Sequence, residues 1–290
     1  MSEFQNRMST YVQAAESFLE QQFLWETAPQ KTVLEAMRYI LLAGGKRIRP
    51  LLTMEFCRAA GGDWKQAVPF GCALEMIQTY SLIHDDLPCM DNDDYRRGRL
   101  TNHKVFGEAM AVLAGDGLLT AAFETASQAA SPAEVVVKNI RILSNCAGAA
   151  GMVGGQVLDL EGEDRELDSA YIHTLQSMKT GALLRAACLM GVTTAGGSQE
   201  MLDAAGTYAD GLGLAFQIRD DMLDVIGDQE KLGKATGMDE HKSTFVRLYG
   251  MDTCERMVRQ ETARAIAALA PFEDHVFLEE FANYLVNRDH

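Results

Sequence analysis

Helical periodicity recurs along almost the whole chain, and strand alternation almost nowhere. Residues 4–24 place Phe4, Met8, Tyr11, Val12, Ala15, Phe18, Leu19 and Phe23 on one stripe, which predicts an amphipathic helix. A second helix over 31–43 stops at Gly44-Gly45, and a third over 50–60 opens on Pro50. Residues 67–87 are nearly all apolar, so this helix should be buried, with the acidic run that follows at its C-terminal end. The same reading predicts helices over 107–129, 133–150, 151–160, 168–190, 199–225, 251–269 and 273–287. The six prolines leave residues 133–270 free of proline, which breaks helix interiors. The expectation is an all-α bundle with short connections, in a single domain over 1–290.

Composition narrows the function. A hydrophobic share of 47% with 23% charged residues is globular. The net charge of −15 argues against nucleic acid and against an anionic membrane surface. A phosphate ligand would then need locally placed cations or a metal. The six cysteines are scattered with no CxxC pair, as in a reducing compartment. The first residues form no signal peptide and no apolar run is read as a membrane span, so the expected location is cytoplasmic.

Two aspartate clusters change the picture most. They are Asp85-Asp86-Leu87-Pro88-Cys89-Met90-Asp91 and Asp220-Asp221-Met222-Leu223-Asp224. Arg96 and Arg97 follow the first, and Lys234 and Lys242 follow the second. An acidic run is usually a solvated helix face, but both runs interrupt apolar helices. Carboxylates beside cations suit Mg²⁺, which takes oxygen ligands, keeps several waters and typically binds one or two carboxylates plus substrate phosphates. Gln217, Asp220, Asp221, Asp224 and Asp228 fall on one helical stripe, with Phe216, Leu223 and Val225 read as the opposite face. Asp85 and Asp91 are about 240° apart on an ideal helix and cannot share a face. Pro88 resolves this by ending the helix near Asp86-Leu87, so that Asp91 curls back towards Asp85. An EF-hand is excluded, because Tyr95 and Arg96 occupy positions that need an oxygen ligand and a glycine.

Further cations sit in suggestive places. Gly44-Gly45-Lys46-Arg47-Ile48-Arg49-Pro50 combines free backbone with Lys46 and Arg49, able to grip a phosphate without metal. Arg96-Arg97-Gly98 supplies two planar forks for phosphate, and Lys179-Thr180 interrupts an apolar helix. A snorkelling or capping role for Lys179 is equally open on sequence grounds. Residues 227–235 fall short of a phosphate-binding P-loop, with one residue too many and Ala235 where a hydroxyl should hold Mg²⁺.

Taken in order, these motifs resemble those of the trans-isoprenyl diphosphate synthases, and most closely the bacterial farnesyl diphosphate synthase pattern. Gly44–Pro50 matches GGKRxRP, Ser81–Gly98 the first Asp-rich motif in its DDx4D form with RRG, and Phe216–Asp224 matches FQxxDDxxD. Gly154-Gly155-Gln156 with Asp159-Leu160 matches GQxxDL, and Lys179-Thr180 a KT position. Lys242-Ser243-Thr244-Phe245-Val246 departs from the usual K-x-T-Y-P. The resemblance implies a bundle of about 10–13 helices around a deep central cavity.

It also implies chemistry. Three Mg²⁺ would bridge an allylic diphosphate to Asp85, Asp91 and Asp220, with Asp86, Asp221 and Asp224 in or near the same shell. Arg96, Lys179, Lys234 and Lys242 would complete that site. Isopentenyl diphosphate would sit without metal on Lys46, Arg49, Gln78 and Arg97. The allylic cation formed on ionisation would be steadied by Thr180, Gln217 and the Lys179 carbonyl, and the departing diphosphate would take the proton. His84 and His103 are read as packing residues. A homodimer is implied too, with dimethylallyl and geranyl diphosphate as allylic substrates. Tyr80, five residues before Asp85 and about 7.5 Å down the helix, would with Ser81 floor the cavity and stop growth at C15. A C20 product is the alternative. A terpene cyclase would not need Lys46 and Arg49, and a non-catalytic subunit would be expected to lose an Asp cluster. The segment Tyr284–Arg288 is a candidate cover for the site.

Overall fold

The computed structural model describes residues 2–24, 27–163, 165, 167–231 and 244–287, with backbone alone over 227–231. Among these, fourteen α-helices follow one another: α1 (Glu3–Glu20), α2 (Lys31–Leu41), α3 (Ile48–Ala59), α4 (Val68–Asp85), α5 (Asn102–Phe106), α6 (Glu108–Ser127) and α7 (Ala133–Ala147). Then come α8 (Met152–Gly162), α9 (Ser169–Gln176), α10 (Ala182–Ala195), α11 (Gln199–Lys231), α12 (Phe245–Tyr249), α13 (Met251–Ala267) and α14 (Val276–Val286). The one sheet among the described residues is a hairpin of β1 (Tyr95–Arg96) and β2 (Arg99–Leu100), with Arg96 opposite Arg99. The all-α architecture read from periodicity is the one observed.

Helix α4 is the axis of the bundle. It packs against α1, α2, α3, α6 and α10. From Phe70 to Tyr80, Gln78 is the one residue not fully buried. Two glycines let its neighbours approach. A Cβ at Gly71 would stand 2.8 Å from the Cα of Pro50, and one at Gly115 on α6 would overlap the His84 ring. The larger core gathers α1 to α4, α6, α7, α10, α14 and the N-terminal half of α11. A smaller one, with Ile172, Ala215, Ile218, Met222, Phe245 and Val258, joins the C-terminal half of α11 to α9, α12 and α13. Phe245 is fully buried there, an anchor of about 2–3 kcal/mol for the short helix α12.

Several expectations are corrected. The helix expected over 168–190 is α9 and α10 joined by a π-helical turn, Ser177–Gly181, which contains Lys179 and Thr180. The buried face of α11 is Ala215, Ile218 and Met222 rather than Phe216, Leu223 and Val225. Val225 follows Asp221 by four residues and therefore shares its side of the helix. Glu108–Ser127 is long and apolar enough to cross a membrane, with a mean hydropathy of 1.2, contrary to the sequence reading. In the fold it is α6, packed along α4 and α2 through Ala111, Ala114, Leu118 and Ala122. All six cysteines are unpaired, and only Cys89 is exposed.

Candidate active site

Helix α4 ends where Pro88 requires, with Asp85 as its last residue and Asp86 as the cap. The chain then curls. The Asp91 N–H donates to the Asp85 carbonyl at 2.8 Å, and the Asn92 N–H to that of Leu87 at 3.1 Å. Asn92 takes the turn with φ 54°. Asp91 is thereby brought back beside Asp85, as the proline argument anticipates. Burial pushes the Asp85 carboxyl up to about 6, opposed by Lys179 and Arg96 and reinforced by Asp91 and Asp159. Gln156 on α8 donates a hydrogen bond to Asp85.

Asp86 behaves differently. It is fully buried and accepts from Arg96, at 2.7 Å from Nε and 2.6 Å from Nη2. Burial still raises its pKa, against the pull of Arg96. A rotation of about 100° per residue turns Asp86 away from the side that Asp85 faces. Asp86 and Arg96, both expected at the metal and diphosphate, are paired with each other in this structure. Neither lines the cavity at the carboxylate end.

That cavity, of about 570 Å³, is lined by Asp91, Asp159, Gln176, Lys179, Thr180, Gln217, Asp221, Asp224 and Arg247 among others. It therefore brings together residues of both clusters and the Lys179-Thr180 pair, from the turn after α4, α11 and the π turn. Asp221 accepts the Phe245 N–H at 2.8 Å, which ties the start of α12 to α11. Burial raises its carboxyl to about 6, the amide of Phe245 opposing and Asp224 adding. Asp220 is half-buried one residue away and is not part of the lining. Lys179 Nζ donates to Asp159 at 2.5 Å. A Cβ at Gly155 would collide with the Lys179 backbone, so this glycine allows the π turn to touch α8. An inserted π residue breaks the regular ladder, a feature frequent at functional sites.

A second cluster of cations lies at the loop between α2 and α3. Arg97 donates to the Gly44 carbonyl, and its guanidinium lies against Gly45, where a Cβ would come within 3.0 Å. Burial lowers the proton affinity of Arg49, with Glu75 opposing and Arg97 adding to the effect. The Arg49 Nε has no hydrogen-bond partner among the described residues. Lys46 is exposed beside it, and Gln78 is half-buried. Tyr80 is buried, edge-on to His84 with ring centroids 5.7 Å apart, and burial raises its hydroxyl pKa. Ser81 donates to the Gln78 carbonyl at 2.9 Å. Neither Tyr80 nor Ser81 lines the carboxylate cavity.

The donors fit a hard divalent cation. Asp91, Asp159, Asp221 and Asp224 offer only oxygen, and burial, with neighbouring carboxylates adding, has raised the pKa of Asp85 and Asp221, a cost that a cation would relieve. Among the described residues no three acidic, His or Cys groups converge into a ready-made cage. Mg²⁺ on this surface would need water and phosphate oxygens to complete its octahedron. Sequence reasoning gave no role to Gln156, Asp159, Arg247, Arg47 or Glu75. The GQxxDL match did contain the first two. Lys234, Lys242 and Arg288 lie outside the described residues, as does the side chain of Asp228.

Carboxylates of both aspartate clusters line one cavity of this helical fold, with a separate nest of arginines, and the fold is that of prenyltransferases. The chain belongs to the polyprenyl synthetase family, whose profile matches residues 30–281. It is 44% identical to a farnesyl diphosphate synthase of Micrococcus luteus, over 90% of each chain. It is 43% identical to a geranylgeranyl diphosphate synthase of Cyanophora paradoxa, over 89% of this chain and 88% of that one. Among solved structures it resembles a geranyltransferase from Helicobacter pylori complexed with magnesium and isoprenyl diphosphate. There the TM-score is 0.85 and the identity 32%, over 99% of this chain and 97% of the other.

Proposed function

We propose that this prenyltransferase condenses isopentenyl diphosphate with dimethylallyl and then geranyl diphosphate, giving farnesyl diphosphate, with the chain acting as one domain. The observation that carries the reading is the single cavity that joins Asp91 of one cluster to Asp221, Asp224 and Lys179. An allylic diphosphate belongs at that acidic end. Three Mg²⁺, held by Asp85, Asp91 and Asp220 with Asp221 and Asp224 close by, would neutralise the departing diphosphate. Lys179 adds a cation, and Arg96 the N–H edge that Asp86 leaves open. Lys234 and Lys242 are assigned to the same diphosphate from the motif alone. Thr180 and Gln217 turn polar groups towards the allylic carbon as positive charge develops there. Isopentenyl diphosphate takes the metal-free site of Lys46, Arg49, Gln78 and Arg97. Its double bond attacks the allylic carbon, and the released diphosphate removes the proton. The allylic cation would need an apolar surrounding that keeps water away.

The enzyme works as a homodimer in the cytoplasm. Exposed Val112 and Leu113 on α6, and Val153, Val157 and Leu160 on α8, provide apolar surface for a second copy. Tyr80 sets product length by blocking the space behind Asp85. The similar identity to a geranylgeranyl synthase keeps a C20 product as the second reading. Both are tested by incubating the wild type and Tyr80→Ala with labelled isopentenyl diphosphate, Mg²⁺ and geranyl diphosphate. Products are then dephosphorylated and sized. The wild type should stop at farnesol, and Tyr80→Ala should pass to geranylgeraniol. Geranylgeraniol from the wild type would establish the second reading, and C15 alone from the variant would remove Tyr80 from the role.

A further inference from the structure

We propose that Arg47 is a positioning residue for the isopentenyl diphosphate site, acting through Lys46 and Arg49; this rests on the reading that the loop between α2 and α3 takes that substrate. Arg47 is only 2% exposed, although it lies between residues meant to meet a highly charged ligand. Its guanidinium makes three bonds to three helices. Nε donates to Glu16 on α1 at 2.6 Å, Nη1 to Glu75 on α4 at 2.7 Å, and Nη2 to the carbonyl of Leu41, the last residue of α2, at 2.7 Å. Burial works against its charge, and the bonds to Glu16 and Glu75 more than offset that.

The backbone explains why such a clamp is needed. Arg47 has φ 47° and ψ 40°, the left-handed region that a residue with a Cβ rarely enters. A conformation of this kind costs of the order of 1–3 kcal/mol and persists only where the surroundings over-determine it. Here the side chain does so. The left-handed residue also caps α3, since the Arg47 carbonyl accepts the Leu51 N–H at 3.1 Å. It therefore sets the direction in which Lys46 leaves the loop and Arg49 leaves the first turn of α3. Glu75 does a second job, because its charge also bears on Arg49 and Arg97. One buried carboxylate thus holds the clamp and favours the charge on two further arginines. Arg47, buried and held by these three bonds, would act on the ligand only through its neighbours.

Steady-state kinetics on Arg47→Gly, Arg47→Lys and Glu16→Gln test this. Glycine accepts the positive φ without strain but removes the bridge. For Arg47→Gly the KM for isopentenyl diphosphate should rise about tenfold or more, with that for geranyl diphosphate within about twofold, the loss expected when a binding group is misplaced. Arg47→Lys should recover part of the loss by reaching one carboxylate. Glu16→Gln, at a half-buried position, removes the charge from one arm only and should show the same split at smaller size; it carries the test if Arg47→Gly does not fold. Unchanged KM values in a folded variant, or equal rises for both substrates, would overturn the proposal. Lys46→Ala separates the layers. If it leaves the KM for isopentenyl diphosphate unchanged, the assignment of the loop itself fails.

Discussion

Asp85→Asn should lower kcat by about 10³-fold at saturating Mg²⁺, with no loss of thermal stability. The two halves of that expectation have one cause. Asp85 is half-buried among Asp91 and Asp159, and its carboxyl is pushed up to about 6. The native fold gains nothing from its charge, so an amide of equal size costs no stability. On the proposed mechanism the charge acts when a cation and a diphosphate arrive. Removing it takes away stabilisation that appears as the C–O bond breaks. Steady-state rates with geranyl and isopentenyl diphosphate, alongside a melting curve, check both halves. A loss below about tenfold in kcat would take Asp85 out of the metal set.

Arg96→Ala should do the reverse and strike stability first. Asp86 is fully buried, and the Arg96 side chain beside it is 24% exposed. Deleting the guanidinium strands a buried carboxylate whose second oxygen already lacks a partner among the described residues. Breaking such a pair costs about 3 kcal/mol, which in a chain of this size lowers Tm by about 5–10 °C. The double variant Arg96→Ala with Asp86→Leu should recover much of that loss, because an apolar pair removes the orphaned charge. An unchanged Tm for Arg96→Ala would mean that the pair contributes no net stability and that Arg96 serves the ligand alone.

The contrast between these neighbours shows where sequence reading reaches its limit. Pro88 made the turn after Asp85 legible, because a proline forbids the helix whatever surrounds it. The periodicity of the apolar positions likewise fixed the all-α class and most helix limits. Nothing local distinguishes Asp85 from Asp86. Their fates depend on Arg96, returned by a hairpin ten residues later, and on which side of α4 faces the core. Arg47 and Arg49 pose the same problem, since only the tertiary packing decides which guanidinium is buried as a clamp. The π turn at Lys179 carries no signal in its own residues. It reflects the close approach of Gly155 and the pull of Asp159, both from α8. The misassigned face of α11 was a different matter, because the spacing of Asp221 and Val225 already placed them together.

The central claim is that the protein takes two diphosphates, the allylic one through Mg²⁺ at the acidic cavity and the other, without metal, at the arginine nest. The most direct test is incorporation of labelled isopentenyl diphosphate into geranyl diphosphate, measured with Mg²⁺ and with EDTA, followed by sizing of the product. The account predicts farnesyl diphosphate with the metal, and no condensation and no diphosphate release without it. Condensation that persists in EDTA would contradict the metal site. Release of diphosphate from geranyl diphosphate with no incorporation of label would contradict the second site, and with it the assignment as a condensing enzyme.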